Sequence, residues 1–273
     1  MMRSLWTAAS GMSNQILQID NIANNLANVN TTAFKRERVD FQTLLYTTMR
    51  RADLDPVNMT GRPVNLQVGH GVRASGTTRL FEQGILQRTE LPTDFAIEGR
   101  GFFEVRRDFD EFLFTRDGTF AFMPLDDDSL ILTTSNGYPV MDVDGDEIII
   151  PPGIAAADVI VSDTGELSFL DFDGLVTPLG FIIRIVQFPN PQGLEAVGGN
   201  MFVETIASGM PLFEIDGETG TVSRIRQGFL EMSNVSIADE MISMITAQRA
   251  FDLNSRAITT SDEMLQTANN LKR

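Results

Sequence analysis

Two stretches at opposite ends of this chain repeat apolar residues every seven positions, and a chain built that way must find helical partners for both. Near the start, Leu5, Ala9, Met12, Ile16, Ile19, Ala23 and Leu26 follow one another in steps of four and three. That spacing keeps a narrow apolar stripe on one side of a helix. Ser13, Asn14, Gln18 and Asn21 populate the opposite side, and Asn28-Val29-Asn30-Thr31-Thr32 predicts the stop, because Asn and Thr favour caps and turns. Near the end, Ile237, Met244, Phe251, Ile258 and Leu265 recur every seven residues, with Ala247, Asn254, Ser261 and Ala268 between the later ones. Ser236, three residues before Asp239, predicts an N-cap. Asp239 and Glu240 at the start, and Lys272 and Arg273 at the end, suit the helix dipole. Such a helix is on the order of 54 Å long. Rich in Asn, Ser and Thr, it is marginal alone in water.

The simplest arrangement pairs the first helix with the last and leaves the remaining faces for neighbouring molecules. Leu5, Met12, Ile16, Ile19, Leu26, Ile237, Met244, Phe251, Ile258 and Leu265 are then the expected self-assembly seam, with Phe251 at its centre. The alternative is that both stripes pack on an ordinary globular core. The strict seven-residue period, and the lack of comparable helical patterns in between, weigh against it.

The middle of the chain has a different texture. Short β-rich runs follow one another: Phe102–Val105, Phe112–Phe114, Leu130–Leu132, Ile148–Ile150, Val159–Val161 and a longer one over 181–188. Asp117-Gly118, Asn136-Gly137, Asp144-Gly145, Asp173-Gly174 and Asp216-Gly217 separate many of them, and such dipeptides supply the positive φ of tight hairpins. The fold class expected is α+β: paired, coiled-coil-like terminal heptad helices around a central antiparallel β domain. The expected divisions are an assembly helix over 1–34, an extended connector over 35–74 containing Pro56 and Pro63, the β domain over 75–231, and a second assembly helix over 232–273.

Charge separates the same regions. Residues 1–88 carry a net +4, residues 89–220 a net −20 and residues 221–273 none, within a total of −16. An acidic middle argues against nucleic acid as a partner. No run of eighteen apolar residues predicts membrane insertion, and the first residues lack the pattern of a secretory signal. Cysteine is absent, so thiolate chemistry and thiolate metal sites are excluded. The single histidine, His70, lies between two glycines and reads as structural. Gly69-His70-Gly71-Val72-Arg73-Ala74 has dinucleotide-fingerprint spacing without a following helix. Asp142 to Glu147 resembles the start of a calcium loop, but Glu147 stands where glycine is needed, so a hairpin turn is expected. No catalytic constellation, cofactor site or metal site is read, and no enzyme is expected.

Five blocks, in order, resemble the flagellar rod and hook protein family. They are Ser4–Met12 with Asn24–Lys35, Ala96–Phe103, Thr115–Phe120, Gln227–Val235 and Gln248–Arg256. The resemblance covers nearly the whole chain, and the opening with Gln67–Val72 is most similar to distal rod members, with proximal rod members the close alternative. It implies a self-assembling structural subunit of a helical, tubular drive shaft that transmits torque from motor to hook. The implied partners are other copies, neighbouring rod and hook subunits and the surrounding ring proteins. The implied place is the periplasmic rod of the basal body, reached through the flagellar secretion apparatus. Ala33 stands where the family usually has glycine, which disfavours a left-handed turn there. A rival reading is an exported enzyme or adhesin that uses rod-like ends for delivery.

Overall fold

The computed structural model describes residues 2–54, 61–62, 64–108, 111–125, 127–171, 175–215, 217 and 222–271. Pro56, Pro63, Asp126, Asp216, the Asp173-Gly174 turn, Lys272 and Arg273 lie outside the described residues. The chain divides into two units. The first comprises residues 1–27, 37–78 and 236–273, and the second comprises residues 28–36 and 79–235.

The first unit holds both long helices, α1 (Met2–Ala27) and α2 (Ile237–Asn270). Ser236 caps α2 as expected: its side chain accepts from the Asp239 amide at 3.5 Å. Between the helices in sequence, the stretch read as an irregular connector is a ladder of nested strand pairs. Glu37–Thr43 pairs with Val72–Arg79, Thr47–Arg50 with Leu66–Val68, and Asp53–Leu54 with Gly61–Arg62. Its Pro and Gly residues suggest irregular backbone, but here the pairing of distant segments overrides local propensity. His70 sits beside Thr47, with Nε2 2.5 Å from the hydroxyl.

Side chains of α1 hold this ladder through its backbone. Asn25 is buried and brackets residue 37, donating to the Glu37 carbonyl at 2.8 Å and accepting from its amide at 3.0 Å. Asn14, also buried, donates to the Val72 carbonyl at 2.8 Å. The polar face of α1 is therefore partly covered, because each asparagine satisfies strand backbone that would otherwise be stranded.

The second unit is antiparallel β structure. A six-stranded sheet runs in the order Glu195–Gly198, Met201–Val203, Glu111–Thr115, Phe102–Asp108, Ile185–Gln187, Leu212–Phe213. Two three-stranded sheets accompany it, one of Phe120–Pro124, Leu130–Thr134 and Ile149–Ile150, the other of Val159–Val161, Glu166–Leu170 and Val176–Ile182. Alternation along Phe102–Asp108 sends neighbouring side chains to opposite faces. Phe103 and Val105 join the main core with Leu132, Ile148 and Ile150, whereas Phe102 joins Phe114, Phe188 and Phe202 in a second cluster. Rings there meet edge to face, as for Phe114 and Phe188 with centroids 4.8 Å apart.

Two local expectations change. The apolar run over 181–188 is not one strand: Val176–Ile182 pairs with Glu166–Leu170, and Ile185–Gln187 pairs with Phe102–Asp108. Between them the Ile182 amide is taken by the Asp142 carboxylate at 2.6 Å and the Ile183 amide by the Gly165 carbonyl at 2.9 Å. A continuous apolar run does not say which sheet each half serves. Gly137 and Gly145 do take positive φ, at 83° and 89°, the latter in the hairpin turn over 142–146. Gly118 is needed for another reason: a Cβ there would overlap the Phe95 carbonyl.

Candidate assembly elements

The two helices pack against each other within the first unit. Gly11 lies against Asn254, and a Cβ on Gly11 would come within 2.9 Å of that side chain's Nδ2. Gln15 and Gln18 share a cleft with Ser243, Thr246, Ala247 and Ala250. Later residues of α1 thus face earlier residues of α2, and the pair is antiparallel. On α2 the buried residues are small or polar, Glu240, Ala247 and Ser261, seven or fourteen positions apart, while on α1 Ala8, Asn14, Ile22 and Asn25 are buried. Small side chains let the two axes approach, so the larger ones flank the line of closest approach.

Leu5, Met12, Ile19 and Leu26 are half-buried, as are Met244, Phe251 and Ile258. Ile16, Ile237 and Leu265 are exposed. With Gly11 opposite Asn254, Ile237 falls level with the end of α1 and Leu265 level with its start, so neither has a helix beside it. Ile16 is exposed together with Ala9 and Ala23, the other four-step positions of the stripe, so the seven-step row alone is partly covered.

A second stripe on α2 runs along the other side. Ile242, Leu253 and Met264 are 63%, 66% and 47% exposed. They stand eleven residues apart, three full turns, so they line up along the helix. Leu253 points about 160° away from Phe251 at 100° per residue. Trp6 on α1 is also exposed, at 76%. The seven-residue reading overlooked this row, which an eleven-residue count over 237–270 would have exposed.

The second unit contains a buried ionic cluster. Glu231 receives Lys35 Nζ at 2.6 Å and Arg116 Nη1 at 3.2 Å, and the three side chains are at most 2% exposed. Each charge also serves backbone. Lys35 donates to the Glu82 carbonyl at 2.7 Å, Arg116 to the Gly101 carbonyl at 3.1 Å and to the Gly99 carbonyl, and Glu231 accepts from the Gly84 amide at 2.8 Å. The Arg116 guanidinium lies 5.4 Å from the centroid of the Phe102 ring. Ala33 does take the left-handed conformation expected of glycine, φ 56°, with its methyl buried and its amide donating to the Glu231 carbonyl at 2.7 Å. Burial of that methyl offsets part of a backbone cost of roughly 1–2 kcal/mol.

Burial pushes the Lys35 amine down from 10.5 to about 8, against the pull of Glu231, and the positive charge of Arg116 adds to the downward push. Burial likewise lowers Arg116, with Glu231 opposing. Between about pH 8 and 10.5 the unfolded chain holds a proton at Lys35 that the folded chain has released, so stability rises with pH across that window. The gain is up to about 3 kcal/mol at about 1.4 kcal/mol per unit. Below pH 8 the cost of the buried charge is present in full. Lys35→Met removes this dependence. Urea unfolding of both proteins at pH 7.5 and 10 should show the gap between wild type and variant shifting in favour of wild type at the higher pH. A gap independent of pH would rule this out.

Sequence blocks far apart meet in this cluster. Residues 5–35, which end on Lys35, match the family described as "Flagella basal body rod protein". Residues 96–169, which contain Arg116, match "Flagellar hook protein FlgE/F/G D1 domain", and residues 226–271, which contain Glu231, match "Flagellar basal body rod FlgEFG protein C-terminal". The chain is 48% identical to the flagellar basal-body rod protein FlgG of Borreliella burgdorferi, over 100% of both chains. It is 38% identical to FlgG of Caulobacter vibrioides, over 99% of this chain and 100% of that one. It is 31% identical to the flagellar hook-basal body complex protein FlhP of Bacillus subtilis, over 100% of both.

Proposed function

The chain belongs to the flagellar basal-body rod protein family, and from that we infer that it is a structural subunit of the bacterial flagellar basal-body rod. The observation that carries the reading is the end-to-end similarity to FlgG proteins, which takes in both helices and the β unit together. Proteins of that name favour the distal rod over the proximal rod. The role is mechanical: copies polymerise into a helical tube that carries torque from motor to hook, touching neighbouring rod and hook subunits and the surrounding rings, and no reaction is assigned. Delivery through the flagellar secretion apparatus belongs to the same proposal. Among the described residues no helix is long and apolar enough to cross a membrane.

Within that role, the antiparallel helix pair is the assembly element. Its inner residues, Met12, Ile19, Met244, Phe251 and Ile258, hold the pair together in a coiled-coil-like manner. Its outward residues, Ile242, Leu253 and Met264, meet helices of adjacent copies. A head-to-tail contact of this kind does not close and so gives an open filament. Support comes from exposure: these apolar side chains are uncovered in the single chain and are available to a neighbouring copy. Gold labelling of an epitope-tagged chain in isolated basal bodies should decorate the rod below the hook. Label confined to the hook, or absent from basal bodies that are otherwise complete, would refute the assignment.

A further inference from the structure

The chain passes between its two units four times, after residues 27, 36, 78 and 235. In the second unit, three of these passages begin or end at one point. The Arg36 amide donates to the Asn234 side-chain oxygen at 2.8 Å. The Asn234 side-chain nitrogen donates to the Leu80 carbonyl at 2.9 Å and to the Glu82 carbonyl at 3.1 Å. The ring closes when the Leu80 amide donates to the Arg36 carbonyl at 2.9 Å. One asparagine thus ties together the residue that ends the nine-residue excursion over 28–36, the residue just inside the return of the chain at 79, and its own segment, one residue before the exit at 235.

The neighbouring ionic cluster ties the same segments a second time. Lys35 reaches Glu231 and the Glu82 carbonyl, and the Ala33 amide reaches the Glu231 carbonyl. We propose that Asn234, backed by Lys35 and Glu231, is a clasp that makes the segments leading to and from the two long helices order as one cooperative element. A side chain with both a donor and an acceptor is needed at 234, because it must satisfy an amide on one segment and carbonyls on another. Without Asn234 the part-buried Arg36 amide and Leu80 carbonyl would lose this partner, and the segments would come loose together. The clasp lies entirely in the second unit and can be tested in the monomer, so it stands or falls independently of the role in the rod.

The test is amide hydrogen exchange on full-length monomer, comparing wild type with Asn234→Ala and Asn234→Asp. The informative amides are those that do not bond to Asn234 themselves: Ala33, Leu80 and Met232, which donate to Glu231, Arg36 and Ile85. In Asn234→Ala these three should lose protection together, by at least tenfold. Leu132 and Val140, bonded within the core, should keep theirs. Loss confined to Arg36 would overturn the proposal, since a local hydrogen bond alone would explain it. If Asn234→Ala does not yield a folded chain, Asn234→Asp decides. It keeps the acceptor for Arg36 but not the donor for Leu80 and Glu82, so Leu80 and Met232 should lose at least tenfold. Wild-type protection at both positions would overturn the clasp.

Discussion

Leu253→Asp blocks polymerisation at concentrations where the wild type assembles and leaves the monomer folded. Leu253 is the middle member of the outward row and is two-thirds exposed in the single chain, so its replacement removes little from the monomer. In the polymer, burying a leucine against a neighbour contributes about 1.5–3 kcal/mol. An aspartate in the same place adds the cost of an unpaired charge in an apolar contact. With tenfold in affinity for each 1.4 kcal/mol, the critical concentration should rise at least a hundredfold. Because every subunit makes the contact, the defect recurs along the filament. Sedimentation assays over a concentration series, with circular dichroism on the monomer, check both halves of the expectation. Polymer formed at the wild-type concentration would show that the outward row is not the subunit contact. Phe251→Ala is the informative contrast. It should lower monomer helicity as well as assembly, because Phe251 is half-buried on the side facing α1.

Glu231→Gln destabilises the second unit by about 3–5 kcal/mol, because it takes from two buried cations the carboxylate that both of them contact. That is a large part of the total stability of an ordinary domain, on the order of 5–15 kcal/mol. The double variant Lys35→Met/Glu231→Gln should be more stable than Glu231→Gln alone, since one of the stranded cations has been removed. The sign of this non-additivity is what distinguishes a charge-balanced cluster from independent contacts. Replacing all three residues with apolar ones should not recover wild-type stability, because the Gly99 and Gly101 carbonyls and the Gly84 amide would lose these partners. Thermal unfolding of the four proteins at pH 7 tests the order. A double variant less stable than the single one would contradict the charge-balance account.

Both helices are legible in the sequence because their signals are local. Seven-residue spacing, the Ser236 cap and the Asn and Thr residues after Ala27 act within a few turns of where they stand. The antiparallel β character of the middle is legible for the same reason, since alternation and turn glycines are short-range features. The Phe181–Phe188 run and the ladder over 37–79 were not. Pairing partners there are chosen by segments tens of residues away, and neither Pro and Gly content nor a continuous apolar run identifies them.

The proposed assembly face and the buried cluster divide in the same way. Periodicity alone determined that α1 and α2 carry apolar stripes and need partners, because it follows from helix geometry. Which stripe is used up inside the monomer depended on the antiparallel register, with Gly11 against Asn254, and only that register left Ile242, Leu253 and Met264 uncovered. Lys35, Arg116, Glu231 and Asn234 are far apart in the sequence, and no local pattern links them. What they share is a place at which distant segments cross, and the tertiary structure decided it, because a charge can be buried only where the fold brings its counter-charge and its backbone partners together.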